Sequence, residues 1–213
     1  NRDENGQLIV GAAVGVHGDY IERAQELVKA GVDVLVIDIA HGHSDLMFNA
    51  VEKLREVVPD VQLIAGNVAT ATATKELCEA GVDAIKVGVG PGTICITRLV
   101  TGCGMPQLTA VMEAAKVAKR YGVPVIADGG IGKSGDIIKA IGAGADCVMM
   151  GGMFAGTDES PGIVMTKGDK KFKVCRGSAS FTQSHTRKRH GLEKKNLKEV
   201  VPEGVESLVP DKG

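Results

Sequence analysis

The chain has 213 residues, 44% apolar and 24% charged, and its apolar runs stop far short of the ~18 residues that mark a membrane-spanning helix; a soluble globular chain is expected, and a disordered or membrane-embedded one is excluded. Glycine supplies 29 residues, roughly twice the average share of ~7%, while aromatics are 3% and Trp is absent, which points to tight turns and close backbone approach and away from an aromatic cage. The net charge of −1 hides an asymmetry: residues 167–198 hold eleven Lys/Arg against two acids, a segment of +9 on a body of −10. The first residues, Asn1-Arg-Asp-Glu-Asn-Gly6, carry neither an initiator Met nor an apolar signal segment, so the expectation is a trimmed piece of a longer cytoplasmic chain.

From there the chain repeats a strand, turn and helix unit. Short continuous apolar runs, of the kind buried on both faces of a parallel sheet, begin near residues 8, 33, 61, 83, 123 and 145. Helical spacing of apolar residues follows at 21–30, 46–57, 73–80, 109–121 and 135–142. One phrase recurs: Ala30-Gly-Val-Asp33, Ala80-Gly-Val-Asp83 and Ala143-Gly-Ala-Asp146, each read as a helix C-terminus with glycine in the left-handed cap, leading into a strand. Six βα units fit either an open doubly wound sheet or most of an eight-stranded barrel. The dinucleotide fingerprint GxGxxG is absent after the first run, and polar or glycine residues recur at the C-terminal end of every run. That favours a (β/α)8 TIM barrel with six of its units, strands 3 to 8, present. Residues 1–165 are assigned to the barrel portion. Residues 166–213 are assigned to a hairpin strand at 167–176, a basic flap without clear periodicity at 177–199 and a C-terminal segment of the same domain.

The strand ends carry the residues suited to chemistry. Gly129-Gly130 and Gly151-Gly152 end the last two strands, where exposed N–H groups suit a phosphate; the alternative is simple tight turns. Asp128 is either a ribose ligand or a helix N-cap. Cys95 stands in a glycine-rich loop with Thr97 two residues on and Arg98 next, where exposed amides and a cation would lower a thiol pKa; Cys78 and Cys147 read as core thiols. Five cysteines without a CxxC pair support neither a zinc site nor a disulfide framework. His41-Gly-His43 lacks a third ligand at useful spacing and reads as a turn. The basic segment is either a solvated loop or an anion-binding one, and with only Phe172 and Phe181 within it a base-stacking surface is not expected.

Seven motifs carry a resemblance: Asp38-Ile-Ala-His-Gly-His-Ser44, Ala65-Gly-Asn-Val-Ala69, Lys86-Val-Gly-Val-Gly-Pro-Gly-Thr-Ile-Cys-Ile-Thr-Arg98, Pro106-Gln-Leu-Thr-Ala110, Ala127-Asp-Gly-Gly-Ile131, Gly152-Met-Phe-Ala-Gly156 with Glu159-Ser-Pro-Gly162, and Val201-Pro-Glu-Gly204. Together they resemble the IMP dehydrogenase and GMP reductase family along almost the whole chain. The resemblance implies a (β/α)8 barrel, usually tetrameric, often with a tandem CBS domain inserted after the second strand. It implies Cys95 as the nucleophile at C2 of a purine nucleotide, with Thr97 and Glu203 as its proton-handling pair; the Arg-Tyr pair that activates water in the dehydrogenase flap is missing, and Arg187-Lys-Arg189-His190 offers Arg189 as a substitute. Asp38, Asn67, Gly88 and Gly90 fall on the cofactor side. Thr93, Asp128, Gly129, Gly130, Gly151, Gly152, Ser178 and Glu203 fall on the substrate side, and the carbonyls of Gly90, Gly92 and Cys95 on a K+ site. The reaction implied is NAD-dependent oxidation of IMP to XMP, with NADPH-dependent reduction of GMP to IMP as the alternative. A catalytically silent nucleotide- or nucleic-acid-binding protein is a third reading. Cys175-Arg-Gly-Ser-Ala-Ser180 departs from the dehydrogenase pattern toward some reductases, whereas the length from Arg176 to Glu203 and the Pro-Glu-Gly ending resemble the dehydrogenase flap.

Overall fold

The computed structural model describes residues 2–189 and 201–213, without the side chains of 187–189. Strand and helix alternate through β1 (Gly11–Val14), α1 (Tyr20–Lys29), β2 (Val34–Asp38), α2 (Asp45–Val57), β3 (Gln62–Val68), α3 (Ala71–Glu79), β4 (Ala84–Val87), a short α4 (Thr97–Thr101), α5 (Gln107–Tyr121), β5 (Val125–Asp128), α6 (Ser134–Gly142) and β6 (Cys147–Met149). All six strands are parallel and lie in sequence order, β1-β2-β3-β4-β5-β6. A doubly wound sheet reverses its order at a switch point, and this one never does. Right-handed crossovers in one direction place every helix on the same face, as in a barrel wall.

Side-chain alternation separates the two faces. Leu35, Ile37, Leu63, Ala65, Ile85, Val87, Val125 and Ala127 join the core cluster under the helices, meeting Met47, Ala50, Val51 and Leu54 of α2 and Ala110, Val111, Ala114 and Ala118 of α5. These helix positions recur at three- and four-residue spacing, one buried stripe each. The intervening strand positions, among them Val36, Asp38, Gly66, Lys86, Ile126 and Asp128, point to the opposite face. That face carries the chemistry.

The repeated Ala-Gly-X-Asp phrase has a defined role. Gly31, Gly81 and Gly144 take positive φ at the helix ends. The aspartate after each then pairs reciprocally with the start of the preceding strand: Asp33 with Val10, Asp83 with Leu63 and Asp146 with Val125, each carboxylate accepting the strand N–H at 2.7–2.8 Å while the aspartate N–H donates to the same residue's carbonyl. An N–H left bare at the sheet's lower edge is thereby satisfied.

Three expectations shift. Residues 8–10, assigned to the first strand, lie before β1 with Leu8, Ile9 and Val10 exposed, because an edge strand has a neighbour on one side only. The hairpin is longer than its alternation indicated: β7 (Val164–Lys167) pairs antiparallel with β8 (Lys170–Arg176), which also pairs with β9 (Glu206–Pro210), so the 165/166 division runs through β7. A helix, α7 (Phe181–Arg189), occupies the start of the segment read as aperiodic. It begins at Ser180, whose Oγ accepts from Gln183 N at 3.4 Å and whose carbonyl accepts from Ser184 N. Residues 190–200 of the expected flap lie outside the described residues.

Candidate active site

At the C-terminal ends of β2 to β6 opens a cleft of about 440 Å³ lined by Asp38, Lys86, Gly92, Thr93, Cys95, Asp128, Gly129, Gly130, Gly151, Gly152, Ser178 and Glu203. Its volume falls in the range of small-ligand sites. Thr97, Asn67, Gly88 and Gly90 are outside this lining, but Thr97 bonds Cys95 and Glu203 within it, and Asn67 bonds Asp128 within it and the Gly88 carbonyl. The loop after β4 folds over the next two strand ends because glycines meet it: a Cβ on Gly129 would lie 2.9 Å from Pro91 Cγ, and one on Gly152 3.2 Å from Thr93 Oγ1.

The thiol of Cys95 is joined to a carboxylate through one hydroxyl. Cys95 Sγ lies 3.2 Å from Thr97 Oγ1, and that hydroxyl donates to Glu203 Oε2 at 2.7 Å. More than a hundred residues separate Thr97 from Glu203 in sequence, and backbone pairing closes the distance. Ile96 N donates to the Glu203 carbonyl at 2.7 Å and Val205 N to the Ile94 carbonyl at 2.9 Å, clipping the C-terminal segment to the Cys95 loop. Gly204 lets the two segments approach closely at this crossing, since a Cβ there would lie 3.1 Å from Ser180 N. Arg98 does not take the place expected of it. Its guanidinium donates to the Val89 and Met105 carbonyls and its stem covers Gly90 and Gly104, so it braces the loop, and the thiol's polar neighbour is Thr97. Burial pushes the Cys78 thiol up, as a core thiol should behave; Cys147, also read as a core thiol, is instead exposed on the edge strand β6, with its thiol pushed up by desolvation and by Asp146 beside it; neither lines the cleft.

A second group spans four strands. Lys86, with its side chain only 3% exposed, donates to Asp128 Oδ2 at 2.6 Å and to Asp38 Oδ1 at 3.3 Å. Asn67 Nδ2 donates to the Gly88 carbonyl at 2.7 Å and to Asp128 Oδ2 at 3.0 Å, leaving its own Oδ1 buried and unpaired. Gln107, the first residue of α5, ties the Val87 and Asp128 carbonyls together at 2.8 and 3.1 Å. Lys86 and Gln107 were not singled out from sequence, although a lysine inside the apolar run Ala84-Ile-Lys-Val87 is a visible signal. Asp128 is held as a cleft-lining carboxylate, not as a helix cap. His43 bonds Glu76 at 3.0 Å, and among the described residues no three metal-binding side chains gather. The side chain of Arg189 lies outside the described residues.

Comparison with known proteins gives the family. The model of the IMP dehydrogenase / GMP reductase domain matches residues 1–213. The chain belongs to the IMP dehydrogenase / GMP reductase family. It is 54% identical over its whole length to an inosine-5'-monophosphate dehydrogenase of Nitrosopumilus maritimus, covering 46% of that protein, and 56% identical over 99% of its length to a GMP reductase of Leishmania major, covering 44%. Among solved structures, a GMP reductase variant from Trypanosoma brucei in complex with guanosine 5'-monophosphate superposes with a TM-score of 0.93 at 54% identity, over all of this chain and 44% of that one. The chain thus spans less than half the length of these relatives. Its sheet is a curled half-barrel of the TIM-barrel type, and the family is one of oxidoreductases acting with nicotinamide dinucleotides.

The residues present fit such ligands. The Asp38 carboxylate uses Oδ1 for Lys86 and is 45% exposed at the rim, free to take a ribose hydroxyl. Among the described residues the Gly90 and Cys95 carbonyls accept no hydrogen bond, while the Gly92 carbonyl accepts one from Cys95 N at 3.1 Å and keeps a second lone pair. Three carbonyls of this kind suit a weakly hydrated monovalent cation.

Proposed function

We propose that the protein oxidises IMP to XMP with NAD as hydride acceptor, through a thioimidate on Cys95. The observation that supports covalent chemistry at C2 is the Cys95–Thr97–Glu203 chain opening on a cleft floored by Asp128 and glycine turns; the direction of oxidation is favoured by the span from Arg176 to Glu203 and its Pro-Glu-Gly ending, which resemble the dehydrogenase flap. The soft thiolate adds to the electron-poor C2, hydride leaves C2 for the dinucleotide bound beside Asp38, and the resulting thioimidate is hydrolysed by water to XMP and free thiol. Glu203, through the Thr97 hydroxyl, carries the protons that must leave sulfur and later return to it. Asp128 takes the substrate ribose, and backbone N–H groups near Thr93, Gly130, Gly151 and Gly152 take its phosphate. Ser178, in the same lining, completes that side. Asn67, Gly88 and Gly90 lie on the cofactor side, and the carbonyls of Gly90, Gly92 and Cys95 hold K+. The working form is a cytoplasmic homotetramer.

A second reading uses the same atoms in the other direction: ammonia leaves GMP, and NADPH reduces the Cys95 adduct to IMP. It is favoured by Cys175-Arg-Gly-Ser-Ala-Ser180 and by the reductase relatives at 54–56% identity. One assay on the full-length protein separates the two, following nicotinamide absorbance with IMP plus NAD and, in parallel, with GMP plus NADPH. Turnover only with the first pair is expected; turnover only with the second makes the enzyme a reductase, and binding without turnover of either makes it a silent nucleotide binder.

A further inference from the structure

We infer that Lys86 is a positioning residue that orients the Asp128 carboxylate for recognition of a ribose diol and ties that site to Asp38 at the cofactor rim. The inference rests on the reading that the cleft binds a purine ribonucleotide. Lys86 points to the concave face of the sheet from the middle of β4, flanked in register by Gly66 of β3 and Ile126 of β5. One strand further, Gly66 pairs with Asp38 of β2. Gly66 has no side chain between the two, and a Cβ there would lie 2.7 Å from Lys86 Cβ and 2.5 Å from its carbonyl oxygen. The gap is what lets the ammonium reach Asp38 across a whole strand. On the other side it meets Asp128 Oδ2 at 2.6 Å, the oxygen that also accepts from Asn67.

Both donors therefore converge on Oδ2 of Asp128, which leaves Oδ1 to face the cleft as an acceptor for a hydroxyl. One buried cation serves two carboxylates, so their orientations depend on the same side chain. Without it the two carboxylates would sit on one concave face with Asn67 as the remaining donor to Asp128. The Asp128 side chain would then turn toward water, and its preference for a diol would go with it.

The test is calorimetric titration of the full-length protein with IMP, with 2′-deoxy-IMP and with GMP. The parent is expected to prefer the ribonucleotide. Lys86→Met should lose about tenfold in IMP affinity, the worth of one charge-assisted hydrogen bond, but little for the deoxy analogue, so that the preference collapses. Lys86→Arg should restore it. A merely structural lysine would weaken both ligands alike. Should Lys86→Met not fold, the double variant Lys86→Met/Asp38→Asn removes the uncompensated charge and is read the same way. An unchanged ribo-to-deoxy ratio in either folded variant, or no ratio in the parent, overturns the role of Lys86, whereas a parent that binds neither IMP nor GMP overturns the nucleotide reading itself.

Discussion

Replacing Glu203 by Gln separates the chemistry of the site from its architecture. The main chain at 203 is fixed independently of the side chain, by Ile96 N to the Glu203 carbonyl at 2.7 Å and Glu203 N to the Ala179 carbonyl at 3.1 Å. Gln Oε1 can still accept from Thr97, so the 2.7 Å contact keeps its geometry and loses only its charge and basicity. Stability should change by less than about 1 kcal/mol, the net worth of one hydrogen bond. Turnover should fall by about a hundredfold to ten-thousandfold, the usual share of a positioned acid–base group, which is about 2.7–5.4 kcal/mol of barrier at 1.36 kcal/mol per decade. The KM for nucleotide should change little: Glu203 lines the cleft, but the amide keeps its shape and acceptor oxygen, and the phosphate and ribose contacts proposed above come from other elements. Steady-state kinetics beside a melting curve reads all three. Thr97→Val should fall as far, and the double variant no further, since the two residues act as one relay. A Glu203→Gln enzyme with the parent's kcat, or a double variant whose losses multiply, would refute the relay.

Four further outcomes follow. Iodoacetamide should modify Cys95 and the exposed Cys103 and Cys147, nucleotide should protect Cys95 alone, and Cys78 should stay unmodified until the chain unfolds, because burial raises its thiol pKa and lowers its thiolate fraction at neutral pH; peptide mass analysis reads the pattern, and an unprotected Cys95 speaks against the site. Gly130→Val places a β-branched residue at φ +77°, which should cost about 1–3 kcal/mol and weaken nucleotide binding by calorimetry; full affinity in a folded variant removes Gly130 from the phosphate site. Asp83→Ala strips the acceptor from Leu63 N and from Arg55 and should cost about 2–3 kcal/mol by denaturant titration, an unchanged midpoint being the contrary result. Arg189→Ala should leave the hydride-transfer burst of a dehydrogenase intact while slowing hydrolysis, and should do little in a reductase; dehydrogenase turnover with hydrolysis unimpaired would make Arg189 a solvated charge.

Much of the architecture could be read from the chain because the inner strands are buried on both faces and so leave continuous apolar runs. Reading failed where that condition failed. Residues 8–10 are apolar yet exposed beside the sheet's edge, and α7 has no apolar residue after Phe181, so no stripe announced it. β9 is defined by its pairing with β8, a contact made across a long stretch of sequence and invisible to local pattern. The thiol, its hydroxyl and its carboxylate were legible through motif alone, since nothing in local sequence says that Glu203 returns to Thr97. Adjacency misled for Arg98: the turn into α4 sends its side chain back along the loop to Val89 and Met105, so a neighbour in sequence became a brace and not an electrostatic partner of the thiol.

Two kinds of support meet in the cleft, and they respond differently to change. Asp38, Lys86 and Asp128 are held by strands with paired neighbours on both sides, so their geometry is that of the sheet. Cys95, Thr97 and Glu203 sit on two loop segments joined by the paired backbone at 94–96 and 203–205, and on one side chain that braces the first of them. Loosening that clip should move the relay while the carboxylates stay in place. Gly204→Val tests the division, because a Cβ at 204 would press on Ser180 N at 3.1 Å and on the backbone of Ala179 and so spread the two segments without touching β2, β4 or β5. Turnover should collapse while IMP affinity falls far less. If binding and turnover fell together, the C-terminal segment, whose Ser178 and Glu203 line the cleft, would carry the main share of nucleotide binding, and the strand-borne carboxylates with the glycine turns would not suffice to hold the ligand.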